Sequence, residues 1–367
     1  MIDRDDTTAW IRLLETPGVG RGSARRLLAA FGSPAAVLAA SPSARRQVVD
    51  APVAEALGST PADVEGRIAA ALAWLETAAP EARGVIPLGD PRYPPALLQS
   101  ADPPLLLYAQ GRFELLQTTS LAIVGSRNPT PQGRENAIAF AAHLSRAGVT
   151  IVSGLALGID GAAHAGALEG AGSTIAVVGT GLDRVYQRRH RELAHRIAAE
   201  GLLLSEYPPG TPPLAENFPI RNRIIAGLTR GTLVVEAALQ SGSLITARLA
   251  VEAGRDVFAI PGSIHSPQSR GCHALIKQGA KLVDRAEDIL EELRPSSPAA
   301  PASQGAEVGA KKDPLLEALG YDPVTLDALV ARTGWPAAEL NVRLLELELE
   351  GRVARLPGQL FQRLALG

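Results

Sequence analysis

Two hydrophobic rhythms run along the chain. Between Leu121 and Val283, short aliphatic stretches recur: Leu121-Ala-Ile-Val124, Val149-Thr-Ile-Val152, Ser173-Thr-Ile-Ala-Val-Val178, Leu202-Leu-Leu-Ser205, Gly231-Thr-Leu-Val-Val235, Asp256-Val-Phe-Ala-Ile260 and Ala280-Lys-Leu-Val283. Most are separated by helix-length segments rich in Ala, Leu, Glu and Arg. Stretches apolar on both faces suit strands of a parallel sheet covered by helices on each side. Their alternation with helices predicts an α/β domain built on a doubly wound, mainly parallel sheet. Ligands of such sheets collect beyond the carboxyl ends of the strands, where loops meet helix N-termini.

The flanks carry the helical rhythm. Residues 1–80 read as a small helical bundle, interrupted at Pro17-Gly-Val-Gly20. That turn, between Leu13-Leu14 and Arg25-Arg-Leu-Leu28, resembles a helix-hairpin-helix, in which glycine amides contact a phosphate. The plainer reading, a turn that needs positive φ, is favoured because short glycine turns are common. Residues 81–293 form the sheet domain. It is entered through a proline-rich connector over 84–113, with Leu105-Leu-Leu-Tyr108 as an added edge strand. Residues 294–312, beginning Arg294-Pro-Ser-Ser-Pro298, lack apolar periodicity and read as a flexible linker.

In residues 313–367, Leu315, Leu316 and Leu319 suit one helix, and Leu326, Leu329 and Val330 a second. Leu340, Val342, Leu344, Leu345 and Leu347 suit a third, and a hairpin follows from Gly351, which is the winged-helix order. The third helix carries Glu339, Glu346, Glu348 and Glu350 against one arginine, Arg343. Phosphate repulsion would oppose its entry into a DNA groove, so a protein-interaction role is the better reading.

Composition narrows the choices. A chain of 367 residues with net charge -2 and pI near 6.3 does not coat nucleic acid indiscriminately, so any polyanion site is a local concentration of arginine. A single cysteine, Cys272, excludes a disulfide framework and a thiolate metal cluster, and it reads as a small buried residue. With His265 and His273 it has no standard zinc spacing, so neither metal nor cofactor is expected. The sequence shows no signal-peptide pattern and no membrane-spanning apolar run, which predicts a cytoplasmic protein with no membrane contact.

Three groups of residues are candidates for chemistry. Asp160 and His164 share a helical face, but without a nucleophile nearby they read as structural, Asp160 capping its helix and His164 packing within it. Glu206 and Glu236 follow strands and could serve hydrolysis; the alternative is that they accept loop amides or pair with Arg221 or Arg223. The cations are the clearer signal. Arg184, Arg188, Arg189, Arg191 and Arg196 follow the third strand, and Arg221 and Arg223 flank Asn222. With Arg127 they surround a rim made of Gly125, Ser126, Gly154, Gln240, Ser241, Gly242 and Ser243. Guanidinium groups match phosphate oxygens, and several of them suggest a chain of nucleotides. Phe218 and Tyr186 are the few aromatics at hand, so backbone contacts would dominate. The first turn, Gly125-Ser-Arg-Asn-Pro-Thr-Pro-Gln-Gly133, lacks dinucleotide-site spacing, and its prolines start the helix late.

These motifs resemble the DNA-processing protein A (DprA, or Smf) family. The likeness rests on Ile123-Val-Gly-Ser-Arg127, the Ser153–His164 stretch, Phe218-Pro-Ile-Arg-Asn-Arg-Ile-Ile-Ala-Gly227, Gln240-Ser-Gly-Ser243, Ala259-Ile-Pro-Gly-Ser263 and Gly271–Ala280. The resemblance implies an extended Rossmann-like fold between a SAM or helix-hairpin-helix-like N-terminal domain and a winged-helix tail. It also implies a non-catalytic protein that binds and protects single-stranded DNA, dimerises through the sheet domain and loads the recombinase RecA during natural transformation. By position, the resemblance gives Arg127 a phosphate contact and assigns Arg188 the family's basic position, although Gln187 and His190 depart from the usual neighbours. The runner-up is a nucleotide-processing hydrolase of the lysine-decarboxylase-like Rossmann group. Its glycine loop is replaced here by Glu236-Ala-Ala-Leu-Gln-Ser-Gly-Ser243.

Overall fold

The computed structural model describes residues 3–78, 82–185, 187–293, 313–320, 322–356 and 360–364. The linker expected at 294–312 and Tyr186 lie outside the described residues. A nine-stranded sheet forms the centre. Its strands are β1 (Arg83–Pro87), β2 (Leu106–Gly111), β3 (Ser120–Val124), β4 (Thr150–Ser153), β5 (Thr174–Val178), β6 (Leu202–Ser205), β7 (Gly231–Val234), β8 (Asp256–Ala259) and β9 (Lys281–Leu282). Their spatial order is β1-β2-β6-β5-β4-β3-β7-β8-β9, parallel from β6 to β9, with β1 and β2 antiparallel at one end. The seven aliphatic stretches are β3 to β9.

The connector holds more order than its prolines suggest. Leu105–Tyr108 leads into a strand, but β2 lies one position inside the sheet and β1 takes the edge. Proline is tolerated at Pro87 because an edge strand has amides that need no ladder partner.

Side chains alternate across the sheet. Ala122, Val124, Ile175, Val177, Leu202 and Leu204 face one side, with Ile224, Ile225, Ala247 and Ala250 packed on them from the helices Asn217–Leu228 and Ser243–Glu252. Leu121, Ile123, Ile151 and Leu233 face the other side, covered by Ala137, Leu144, Ile159 and Ala163 from the helices Pro131–Arg146 and Ile159–Ala167. Toward the antiparallel end, Tyr108 and Leu203 meet the N-terminal helices through Trp10, Leu13, Leu27 and Trp74. Trp74 packs edge-on against Tyr108 with ring centroids 6.3 Å apart.

Six N-terminal helices run from Arg4 to Glu76. The turn between Arg4–Glu15 and Arg21–Phe31 holds Gly18 at φ +82, a conformation that favours glycine, while Gly20 caps the second helix in extended geometry. Arg21 and Arg25 of that second helix reach Asp102, Arg21 also approaches Glu206, and Arg25 donates to the Pro103 carbonyl at 2.5 Å. The helical bundle is thereby tied to the sheet domain.

The tail is a winged helix. Helices Pro314–Leu319, Leu326–Thr333 and Ala337–Leu349 precede a hairpin of β11 (Val353–Leu356) and β12 (Leu360–Arg363), with β10 (Val324–Thr325) pairing on β12. Its own core joins Leu315, Leu319, Leu329, Leu340, Leu344, Leu347 and Phe361. Of the residues expected to bury the third helix, Val342 and Leu345 are instead exposed. Among the described residues no helix is long and apolar enough to cross a membrane.

Candidate functional site

From β3 the parallel strands run outward to β6, and the chain then returns to β7 on the other side of β3. A crevice opens at such a reversal because the helices leaving β3 and β7 lie on opposite faces. Here it is a cavity of about 790 Å³ beyond the carboxyl ends of the strands.

The β3 turn forms one wall. Gly125 is required by close approach, since a Cβ there would lie 2.7 Å from Ile159 and 2.9 Å from the Glu236 carbonyl. The Ser126 amide donates to that carbonyl at 2.7 Å, and Ser126 Oγ accepts from the Asn128 amide at 3.1 Å. With its neighbours pinned, Arg127 stands exposed on the rim. The next helix starts at Pro131 behind the Thr130 cap, as the two prolines of the turn predict.

The floor is built from buried polar groups. Arg221 projects from the buried face of the helix Asn217–Leu228 and donates to the Gly154 carbonyl at 2.6 Å and to the Val177 carbonyl. A Cβ on Gly154 would sit 2.5 Å from the guanidinium nitrogens, so glycine is needed there. Burial lowers the Arg221 pKa to about 10, which leaves it cationic at neutral pH. Asp160 accepts from the Gly154 and Ala156 amides at 3.1 and 3.3 Å, and burial raises its pKa against the pull of Arg221. His164 Nε2 accepts from the Leu155 amide at 3.3 Å while Nδ1 lies 2.7 Å from Thr174 Oγ1. Since that hydroxyl donates to the Ile151 carbonyl, Nδ1 carries the imidazole proton. Burial pushes the ring down to about 3, so it is neutral. Asp160 and His164 hold the preceding loop rather than their own helix, whose N-cap is Gly158. Leu155, in that loop, has φ +57.

The two glutamates are also engaged. Glu236 accepts from the Thr130 amide at 3.0 Å and its hydroxyl at 2.5 Å, and burial raises its pKa. Glu206 receives Arg223 Nη2 at 2.5 Å. Cys272 is fully buried, its thiol pushed up to about 12 by desolvation.

Of the expected rim, Gly125, Ser126, Arg127, Gly154, Phe218, Arg221, Asn222, Gln240, Ser241, Gly242 and Ser243 line the cavity together. Two residues do not. Arg223 points away, its guanidinium held between Glu206 and Asp102. Arg188 is exposed beside the cavity, one position past the lining residue Gln187, in a shallow depression with Arg189, Arg191 and Arg196. Arg221, though present, is floor rather than rim. Thr180, in the Gly179-Thr-Gly181 turn that the sequence reading counts with the rim, also lines the cavity, as do Asn128, Thr246 and Gln268, which that reading does not single out. Asn128 directly follows the Gly-Ser-Arg turn, a signal that points to it; Gln268 sits on the remote 3-10 turn Pro267–Ser269 with none.

The Ser241 and Ser243 hydroxyls lie 2.7 Å apart at the start of the helix Ser243–Glu252. Positive helix ends, small hydroxyl residues and exposed Arg127 are groups that can receive an anion, while Arg184 at the margin is paired with Asp183 at 3.1 Å. Fold and site together define a doubly wound α/β protein with a polar, glycine- and serine-rich cleft at its topological switch point, between a helical bundle and a winged helix. The chain belongs to the DNA-processing protein A (DprA/Smf) family. Residues 84–294 match the family described as DNA recombination-mediator protein A, residues 4–57 a DprA-like N-terminal HHH domain and residues 295–359 a DprA winged helix domain. Protein Smf of Escherichia coli K12 is 46% identical over 302 residues, covering 79% of each chain. The DNA processing protein DprA of Streptococcus pneumoniae is 51% identical over 204 residues, 56% of this chain and 72% of that one. Its X-ray structure aligns with a TM-score of 0.65 at 39% identity, over 79% of this chain and 99% of that one. The DNA processing protein A of Helicobacter pylori, solved for its single-stranded DNA binding mode, aligns at 0.52 and 33% identity over 57% of this chain and 95% of that one.

Proposed function

We propose that this chain binds single-stranded DNA along the rim of the switch-point cleft and acts without catalysis, as a mediator that delivers strands to the recombinase RecA during natural transformation. The observation that carries the reading is Arg127, exposed on a turn whose neighbours are pinned, beside the hydroxyl-rich start of a helix. Backbone phosphates are the partner such a rim fits, and the Helicobacter pylori relative's single-stranded DNA binding supports the choice of strand. Arg188 and its neighbours extend the positive surface beside the cavity. The non-catalytic role is supported by the engagement of Asp160, His164, Glu206 and Glu236 in structural contacts. Turnover of nucleotide or phosphoribosyl substrates by the purified protein would overturn it.

The reading includes a cytoplasmic homodimer joined through the sheet domain, and the divisions at 1–80, 81–293, 294–312 and 313–367. The dimer is supported by the open edge at β9, where Leu282 is exposed beside half-buried Leu275 and Ile276. Cys272, in the same stretch, is buried and offers nothing to a partner. Light scattering should find a dimer that Leu282→Asp converts to monomer; a dimer indifferent to that change would move the interface elsewhere. Strand preference is tested by gel shift with single-stranded and duplex oligonucleotides of equal length. The single strand should bind more tightly, and equal affinity would count against the reading.

A further inference from the structure

The third helix of the winged helix, Ala337–Leu349, is amphipathic twice over. Leu340, Leu344 and Leu347 seat it on the tail's own core. On the opposite side Ala338, Val342, Leu345 and Leu349 follow one another at intervals of three or four residues and so share one stripe. Val342, Leu345 and Leu349 are 61%, 56% and 81% exposed, far more than solubility alone would favour on one short helix. Helical geometry places Glu339 and Glu346 along one border of the stripe and Glu348 along the other, all exposed. The one arginine of the helix, Arg343, pairs with Asp313 at 2.9 Å and with Glu346 at 2.7 Å on the inner flank, so one cation is shared by two carboxylates and the borders of the stripe stay net acidic.

We propose that this stripe docks a cationic amphipathic helix of another protein, with leucines in the groove-facing positions and lysine or arginine on the borders. Charge decides among the occupants. DNA phosphates and anionic lipid headgroups are repelled by the bordering glutamates. A second copy of the same stripe would bring glutamate to glutamate. A helix with an apolar face and basic edges satisfies both features at once. The tail would thus recruit a protein while the cleft holds nucleic acid, and the two roles stand or fall separately.

The test uses the full chain and a fluorescent amphipathic peptide of leucine and lysine, followed by anisotropy over a salt series. The chain should bind it, and a leucine–glutamate peptide of the same pattern should not bind. Removing two apolar contacts with Leu345→Ser and Leu349→Ser should weaken binding on the order of tenfold or more. Glu346→Lys with Glu348→Lys should weaken it comparably at low salt and remove the salt dependence. Both pairs of side chains are exposed, so far-UV circular dichroism should be unchanged. Absence of binding, or binding that neither pair alters, overturns the proposal. Self-association that is lost in the serine pair would assign the stripe to a second copy instead.

Discussion

Arg127 and Arg221 stand at the rim and the floor of one cleft, yet they have opposite physical situations. Arg127 is exposed, and its backbone neighbours rather than its side chain fix its position. Arg221 is 5% exposed, donates to two carbonyls and sits against a glycine and a buried carboxyl group. An arginine in a recognisable motif is therefore not a ligand contact by membership. The buried one builds the surface on which the exposed one can act. A scaffold of buried polar groups stores stability, and a rim of exposed ones stores affinity, so substitutions at the two places should part cleanly.

The largest expected effect is on the floor. Arg221→Ala leaves two carbonyls and Asp160 without their buried cation and should cost about 3–5 kcal/mol of folding stability, read from urea denaturation. Gly154→Ala, forced against the guanidinium, should destabilise by about 1–3 kcal/mol. A loss below about 1 kcal/mol in Arg221→Ala would show that the floor is not load-sharing, and the contrast would fail.

A smaller effect comes from His164. Its pKa falls from 6.5 to about 3 in the fold, so the unfolded chain takes up a proton as pH drops below about 6.5 while the native ring does not. This contribution is fully present above that range and is lost as pH falls toward 3. At about pH 4.5 the loss should amount to about 2–3 kcal/mol relative to neutrality. Asp160 and Glu236, raised by burial, act with the opposite sign and make the acid limb shallower. His164→Gln should flatten that limb in denaturation midpoints measured at the two pH values; an unchanged slope would mean that the ring is solvated.

Much of this was legible in the sequence. The seven aliphatic stretches become β3 to β9, since strands buried on both faces leave a signal that needs no partner information. β1 was not legible, because an edge strand ending in Pro87 looks like connector. Most of the rim was found through its small residues and the Gly-Ser-Arg turn. Arg221 was placed in the right cleft with the wrong exposure. Its position with Ile224, Ile225 and Leu228 at helical spacing marks it as belonging to the buried face, a signal that the surrounding charges obscured. Arg223 was misjudged for a different reason. Its pairing with Glu206 is the alternative the sequence offers for that glutamate, whereas Asp102, its second partner, is brought to it only by the fold. In the third helix of the tail, apolar residues on both faces read as one core, although only Leu340, Leu344 and Leu347 enter it.

The rim carries the central claim, and Arg127→Ala tests it most directly. Its stability should stay within about 0.5 kcal/mol of the parent, because nothing buried is disturbed. Affinity should be measured over a salt series on poly-dT, on a mixed single strand and on duplex. For both single strands the substitution should weaken binding by a similar factor and flatten the dependence of log affinity on log salt by about 0.7, one phosphate on a single strand. An unchanged salt slope on the single strands, or equal binding of duplex unaffected by the substitution, would contradict the assignment of the cleft rim to single-stranded DNA.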